Sequence, residues 1–93
     1  MLFMVVERFK NGDARRVYER YAARGRMMPE GLRYVSSWVD TRLACCYQVM
    51  ETEDAALIDH WIENWSDLTD FEVIPVITSK EAANKVLGSA AAD

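Results

Sequence analysis

The sequence predicts an α+β fold: a four-stranded antiparallel sheet with two helices on one face. Three observations point there. A chain of 93 residues makes one domain, and one so short buries only about two thirds of the surface its unfolded form exposes, so helix on sheet is near the minimum. Four short runs have strand character and alternate with segments whose apolar residues recur at helical spacing. The composition is 51% hydrophobic and 11% aromatic, which marks a globular rather than a disordered chain.

Residues 2 to 8, LFMVVER, are too short for a helix and apolar enough for a central strand. Leu2, Met4 and Val6 take one face and Phe3 and Val5 the other, since side chains alternate along a strand. Lys10, Asn11, Gly12 and Asp13 form a turn, and Asn11 or Asp13 can cap the first helix. From residue 14 to about 27, Ala14, Val17, Tyr18, Tyr21, Ala22 and Gly25 fall on one helical face with arginines opposite. Pro29 ends that helix, because proline lacks a backbone donor and disfavours helix at the residue before it.

Residues 31 to 52, GLRYVSSWVDTRLACCYQVMET, read as a hairpin turning around Thr41 and Arg42. With Asp40 facing Leu43, Trp38 pairs with Cys45, Ser36 with Tyr47, Tyr34 with Val49 and Leu32 with Glu51. The other face then carries Val39 with Ala44, Ser37 with Cys46, Val35 with Gln48 and Arg33 with Met50. Neither is a water face. Which one meets the helices stays open.

Thr52, Glu53 and Asp54 open a second helix, with a hydroxyl cap and acids in the first turn. Leu57, Ile58, Trp61, Ile62 and Trp65 form its buried stripe, and Asp59, His60, Glu63 and Asn64 its outer side. Residues 66 to 70 read as a loop and 71 to 77, FEVIPVI, as a fourth strand. Pro75 makes that strand an edge or a bulge. Thr78 and Glu81 form a capping box for a short C-terminal helix to about Leu87, stopped by Gly88. The domain spans 1–88, and 89–93 reads as a loose tail.

The order βαββαβ is that of a ferredoxin-like sandwich. It sets the arginine-rich first helix, with Arg15, Arg16, Arg20, Arg24 and Arg26 in or beside it, next to an acidic second one. Residues 51 to 72 hold eight carboxylates and no Lys or Arg. Several interhelical ion pairs are expected, each worth ~0–1 kcal/mol when exposed. Helices cover only one face of a sheet that is apolar on both, so a homodimer through the uncovered sheet face is the economical expectation.

The segments MLFMVVERFKNGD, GRMMPEGLRYVSSWVD, YQVMET and WIENWSDLTDFEVIPVITS resemble a family of small uncharacterised bacterial proteins in the dimeric α/β-barrel superfamily, over nearly the whole chain. The resemblance implies two four-stranded sheets facing each other as a barrel, with helices outside. That superfamily includes cofactor-independent monooxygenases, lactone isomerases, haem-handling enzymes and members with no known activity, so no catalytic residue carries over.

Composition narrows the partners. A net charge of −4 argues against nucleic acid and anionic membranes. The apolar start meets Glu7 and Arg8 at once, and no apolar run reaches the length of a membrane span. Adjacent Cys45 and Cys46 point to opposite faces of a strand, so they neither bridge nor share a metal, and they read as reduced thiols in a cytoplasmic protein.

No phosphate loop, nucleophile triad, CxxC or paired-histidine signature appears. No cofactor and no metal is expected, since the single histidine, His60, has no second ligand at a suitable spacing. His60 beside Trp61 is the one candidate for haem, against the plainer reading of a surface histidine between Asp59 and Glu63. Glu7, Arg8, Gln48, Glu51 and Glu72 are polar positions in strands that otherwise bury both faces, so some should form a network. Among them Glu51 is singled out: it ends the aromatic hairpin face, where a carboxylate beside rings can hold its proton and act as acid or base.

Tyr18, Tyr34, Trp38, Tyr47, Glu51, His60 and Trp61 form the candidate pocket, weighed against the plainer reading of such stripes as core. The first functional expectation is a homodimeric barrel protein that takes a small apolar or aromatic molecule, with or without chemistry on it. The second is a non-catalytic assembly or regulatory domain, and haem binding is the third.

Overall fold

The computed structural model describes residues 1–88. Its elements run β1 (Leu2–Phe9), α1 (Ala14–Arg24), β2 (Arg33–Val39), β3 (Cys45–Glu51), α2 (Ala56–Glu63), β4 (Thr69–Val76) and α3 (Ser79–Leu87). The sheet order is β2-β3-β1-β4, with every neighbouring pair antiparallel. This is the α+β, ferredoxin-like arrangement that the sequence predicts. The tail expected at 89–93 lies outside the described residues.

β1 is central, as its apolar faces require. It pairs with β3 from Leu2 opposite Glu51 to Arg8 opposite Cys45, and with β4 from Leu2 opposite Val76 to Phe9 opposite Thr69. Phe3, Val5, Glu7 and Phe9 share the face covered by the helices. Phe3, Val5 and Met50 of the sheet and Ile58, Trp61 and Trp65 in and just beyond α2 form the core with Leu32, and Val17 of α1 packs against it. Pro75 sits in β4, which has no second partner strand among the described residues, as an edge strand permits.

The hairpin differs from its expected register by two residues. Trp38 faces Tyr47, and Val39 faces Cys46, because the connection spans residues 40 to 44 rather than a tight turn. Asp40 holds it: its Oδ1 accepts from Ala44 N at 2.8 Å and Cys45 N at 2.9 Å, while Leu43 takes a left-handed φ of 57°. A second departure is a bulge between Tyr34 and Ser36. A shift of two keeps every side chain on its face, whereas one inserted residue reverses it. Trp38 and Tyr47 therefore stay together on the open face, but Tyr34 crosses to the helix face, opposite Met50.

Two helices begin or end differently from the sequence reading. α1 stops at Arg24, since Gly25 adopts φ 68° and ψ −160° and donates its N–H to Tyr21 O at 2.7 Å. α2 starts at Ala56, because Thr52 Oγ1 accepts from Asp54 N and Asp54 Oδ1 accepts from Ala56 N, which spends the caps on a turn before the helix. α3 is capped as predicted, with Thr78 Oγ1 accepting from Glu81 N at 3.1 Å. From α1, Arg20 forks onto Asp67, in the connection between α2 and β4 rather than in the second helix, with two bonds of 2.7 Å. This pair holds the Asp67 carboxyl down at about 2. The other ion pair of α1 among the described residues is Arg15 with Glu19, inside the helix itself.

Candidate functional site

Between the sheet and the helices lies a cavity of about 130 Å³. Its floor is built by the strand registers. Glu7 faces Cys46 and Cys46 faces Val39, while one step along Val5 faces Gln48 and Gln48 faces Ser37. Four polar side chains thus occupy neighbouring positions on an otherwise apolar surface. Tyr18 and Tyr21 from α1, Trp61 and Trp65 from the α2 side and Phe9 of β1 line the walls. Phe9 and Tyr18 meet edge to face at 6.3 Å, and Tyr18 and Tyr21 at 6.5 Å, a geometry that suits the charge distribution of aromatic rings.

The connection after α1 supplies the cavity's cation. Gly25 and Met27 both have positive φ, and the residue between them, Arg26, turns its main chain toward α2. Its carbonyl accepts from two indoles, Trp61 Nε1 at 2.8 Å and Trp65 Nε1 at 3.1 Å, and Asn64 Nδ2 reaches Met27 O at 3.3 Å. Three side chains of one region therefore fix the backbone of the connection. The Arg26 guanidinium lies 3.8 Å from the centre of the Tyr34 ring and 5.1 Å from that of Tyr21. Lying over two rings, the guanidinium is a half-buried cation at the cavity wall, attracted to both aromatic faces.

Glu7 is the unusual group. It is 9% exposed, and burial pushes its carboxyl up from 4.5 to about 7, against smaller opposing effects of the Cys46 thiol bonded to it and the nearby Arg26 charge. Cys46 is its counterpart, pushed up to about 12 by burial first and then by the neighbouring Glu7. The Tyr18 hydroxyl is raised as well, by burial and by Cys46 and Glu7. The site thus holds one proton near neutrality on Glu7, beside a thiol that keeps its own. A carboxyl so placed can donate or accept a proton, or a hydrogen bond, at ordinary pH.

The structure divides the seven sequence-predicted pocket residues. Tyr18 and Trp61 line this cavity, and Tyr34 adjoins it through Arg26 and through a 2.8 Å bond between its hydroxyl and that of Ser37. Trp38 and Tyr47 lie on the opposite face of the sheet, 60% and 42% exposed. Glu51 is on that face too, where Arg33 Nε donates to it at 3.1 Å and holds its carboxyl below the ordinary range rather than above it. His60 is exposed on α2. The acid at the rings is Glu7, not Glu51. Its place was readable, since Glu7 continues the face of Phe3 and Val5, and Gln48 is another polar residue in an apolar strand. Ser37, Cys46 and Arg26 gave no such signal, because their roles depend on registers and on the early end of α1.

Among the described residues, no group of three or more His, Cys, Asp or Glu could hold a metal ion, and no helix is long and apolar enough to cross a membrane. Both cysteines are free thiols.

Fold and site together define a small ferredoxin-like α+β protein with an aromatic-walled cavity between its sheet and its helices. The chain belongs to the family described as a domain of unknown function, DUF3303, whose model matches residues 1–90. No curated protein and no solved structure matches it.

Proposed function

We propose that this protein binds a small, largely apolar or aromatic molecule in the cavity over β1 and β3, as a homodimer joined through the open sheet face. The observation that carries the reading is the space itself: aromatic side chains and one buried carboxyl border about 130 Å³, open in part to solvent where Tyr18 and Tyr21 are exposed. A well-packed core leaves few voids larger than water, so a space of this size with polar groups on its floor favours binding over packing alone. Glu7 is then the group that meets the ligand's polar end and, if a reaction occurs, carries its proton. The reduced state of Cys45 and Cys46 suits a cytoplasmic setting.

The dimer reading is supported by the uncovered face, where Trp38, Tyr47 and Ile74 are exposed between the ion pairs Arg8–Glu72 and Arg33–Glu51. An apolar centre with a charged rim is the usual anatomy of a protein interface. That face is also the one support for a non-catalytic assembly domain. The experiment is a small-molecule screen by thermal shift, run on wild type and on Val17→Phe, which fills the cavity from α1. Ligands are expected to raise the midpoint of wild type and not of the filled variant. Equal shifts in both proteins, or none with any one-ring compound, would leave the assembly reading in possession. Light scattering should give twice the chain mass for wild type and a single chain for Trp38→Glu.

A further inference from the structure

Two buried side-chain atoms lack a hydrogen-bond partner among the described residues: Glu7 Oε2 and Gln48 Nε2. Both residues border the cavity, and they are 9% and 4% exposed. Leaving such atoms unpaired away from water is costly, so native structures rarely do it without a reason. These two are complementary in kind. One carboxyl oxygen is short of a donor, and one amide N–H is short of an acceptor. They stand on adjacent strands on the same face, one pairing step apart, because Glu7 is opposite Cys46 and Gln48 is opposite Val5.

We propose that the cavity recognises a neutral one-ring molecule carrying an adjoining N–H and C=O, a lactam or a primary carboxamide, whose N–H donates to Glu7 and whose carbonyl accepts from Gln48. The inference rests on the binding reading above and adds the ligand's chemistry to it. Size favours one ring: the space, open in part to solvent, is close to the roughly 150 Å³ of an apolar cavity that accepts benzene. Charge sets neutrality. An anion would meet the Glu7 carboxyl, which takes on a charge of its own near neutrality, and a cation would meet the Arg26 guanidinium at the wall and the donating N–H of Gln48. A plain hydrocarbon fills the space but leaves both polar atoms unpaired. A site built to hydrogen-bond its ligand rejects the analogue that lacks those groups.

The test is a titration of the full chain, followed by amide NMR shifts, with 2-pyridone, toluene and benzoate. Wild type is expected to bind 2-pyridone about tenfold or more tightly than either comparator. Glu7→Met and Gln48→Met keep the volume and remove one partner each, so each should weaken 2-pyridone about tenfold and change toluene less than twofold. Toluene binding as tightly as 2-pyridone, benzoate binding best, or variants that lose nothing would overturn the lactam assignment while the cavity reading stands. Failure of all three compounds to shift any cavity resonance would overturn both. The wild-type comparison needs no variant to fold.

Discussion

Replacing Glu7 by Gln gives a direct measure of what the buried carboxyl does to the fold. The folded protein holds the Glu7 proton up to about pH 7, whereas the unfolded chain releases it near 4.5. A raised value for an acid means that folding favours the protonated form, so the stability it supports is complete below 4.5 and is lost as pH rises through 7. The gap of about 2.5, at ~1.4 kcal/mol for each unit, corresponds to about 3 kcal/mol between pH 4 and pH 8. Gln occupies the same space without a charge. Glu7→Gln should therefore match wild type near pH 4 to 5 and exceed it by about 3 kcal/mol at pH 8, as urea denaturation at each pH would read it. Other titrating groups are common to both proteins and cancel in the difference. A difference that stays flat between pH 5 and pH 8, or that favours wild type at pH 8, would refute the assignment of Glu7 as a buried, proton-holding acid.

Two further outcomes test the surroundings of the same group. Cys46, with its thiol pushed up to about 12, should resist iodoacetamide at pH 8 in the folded protein and react at an ordinary rate in urea, as mass spectrometry of the alkylated peptide would show. Gly25→Ala places a side chain at φ 68° and ψ −160°, a conformation nearly confined to glycine, and should cost about 1–3 kcal/mol by thermal unfolding. If Gly25 serves the position of Arg26, that variant should also weaken any cavity ligand beyond the loss in stability.

Much of the fold could be read from local chemistry. β1 declared itself by apolar residues on both faces, α3 by the Thr78 and Glu81 box, and the edge position of β4 by Pro75. The hairpin was legible in kind but not in register. Its loop depends on the Asp40 carboxylate binding two amides across residues 40 to 45, and its bulge at residue 35 answers to packing rather than to propensity. That single bulge decided the site. It carried Tyr34 to the helix face while Trp38 and Tyr47 remained behind on the other, so an aromatic set that looked continuous along the strand serves two surfaces. Glu51 and Glu7 were separated by a similar cause. Both end or interrupt apolar stretches, but only Glu7 points under the helices, while Glu51 has Arg33 beside it in the next strand.

The three tryptophans of this chain sort themselves optically. Trp61 and Trp65 are buried, each with its indole N–H on the one carbonyl of Arg26, whereas Trp38 stands in solvent on the other side of the sheet. Blue-shifted emission therefore comes from the pair that walls the cavity and red-shifted emission from the one that marks the open face. In Trp38→Phe the remaining fluorescence reports the cavity alone. In wild type, a blue shift of the solvent-exposed component with rising concentration reports the burial of Trp38 against another chain. One molecule thus carries two separately readable gauges, and neither requires a label.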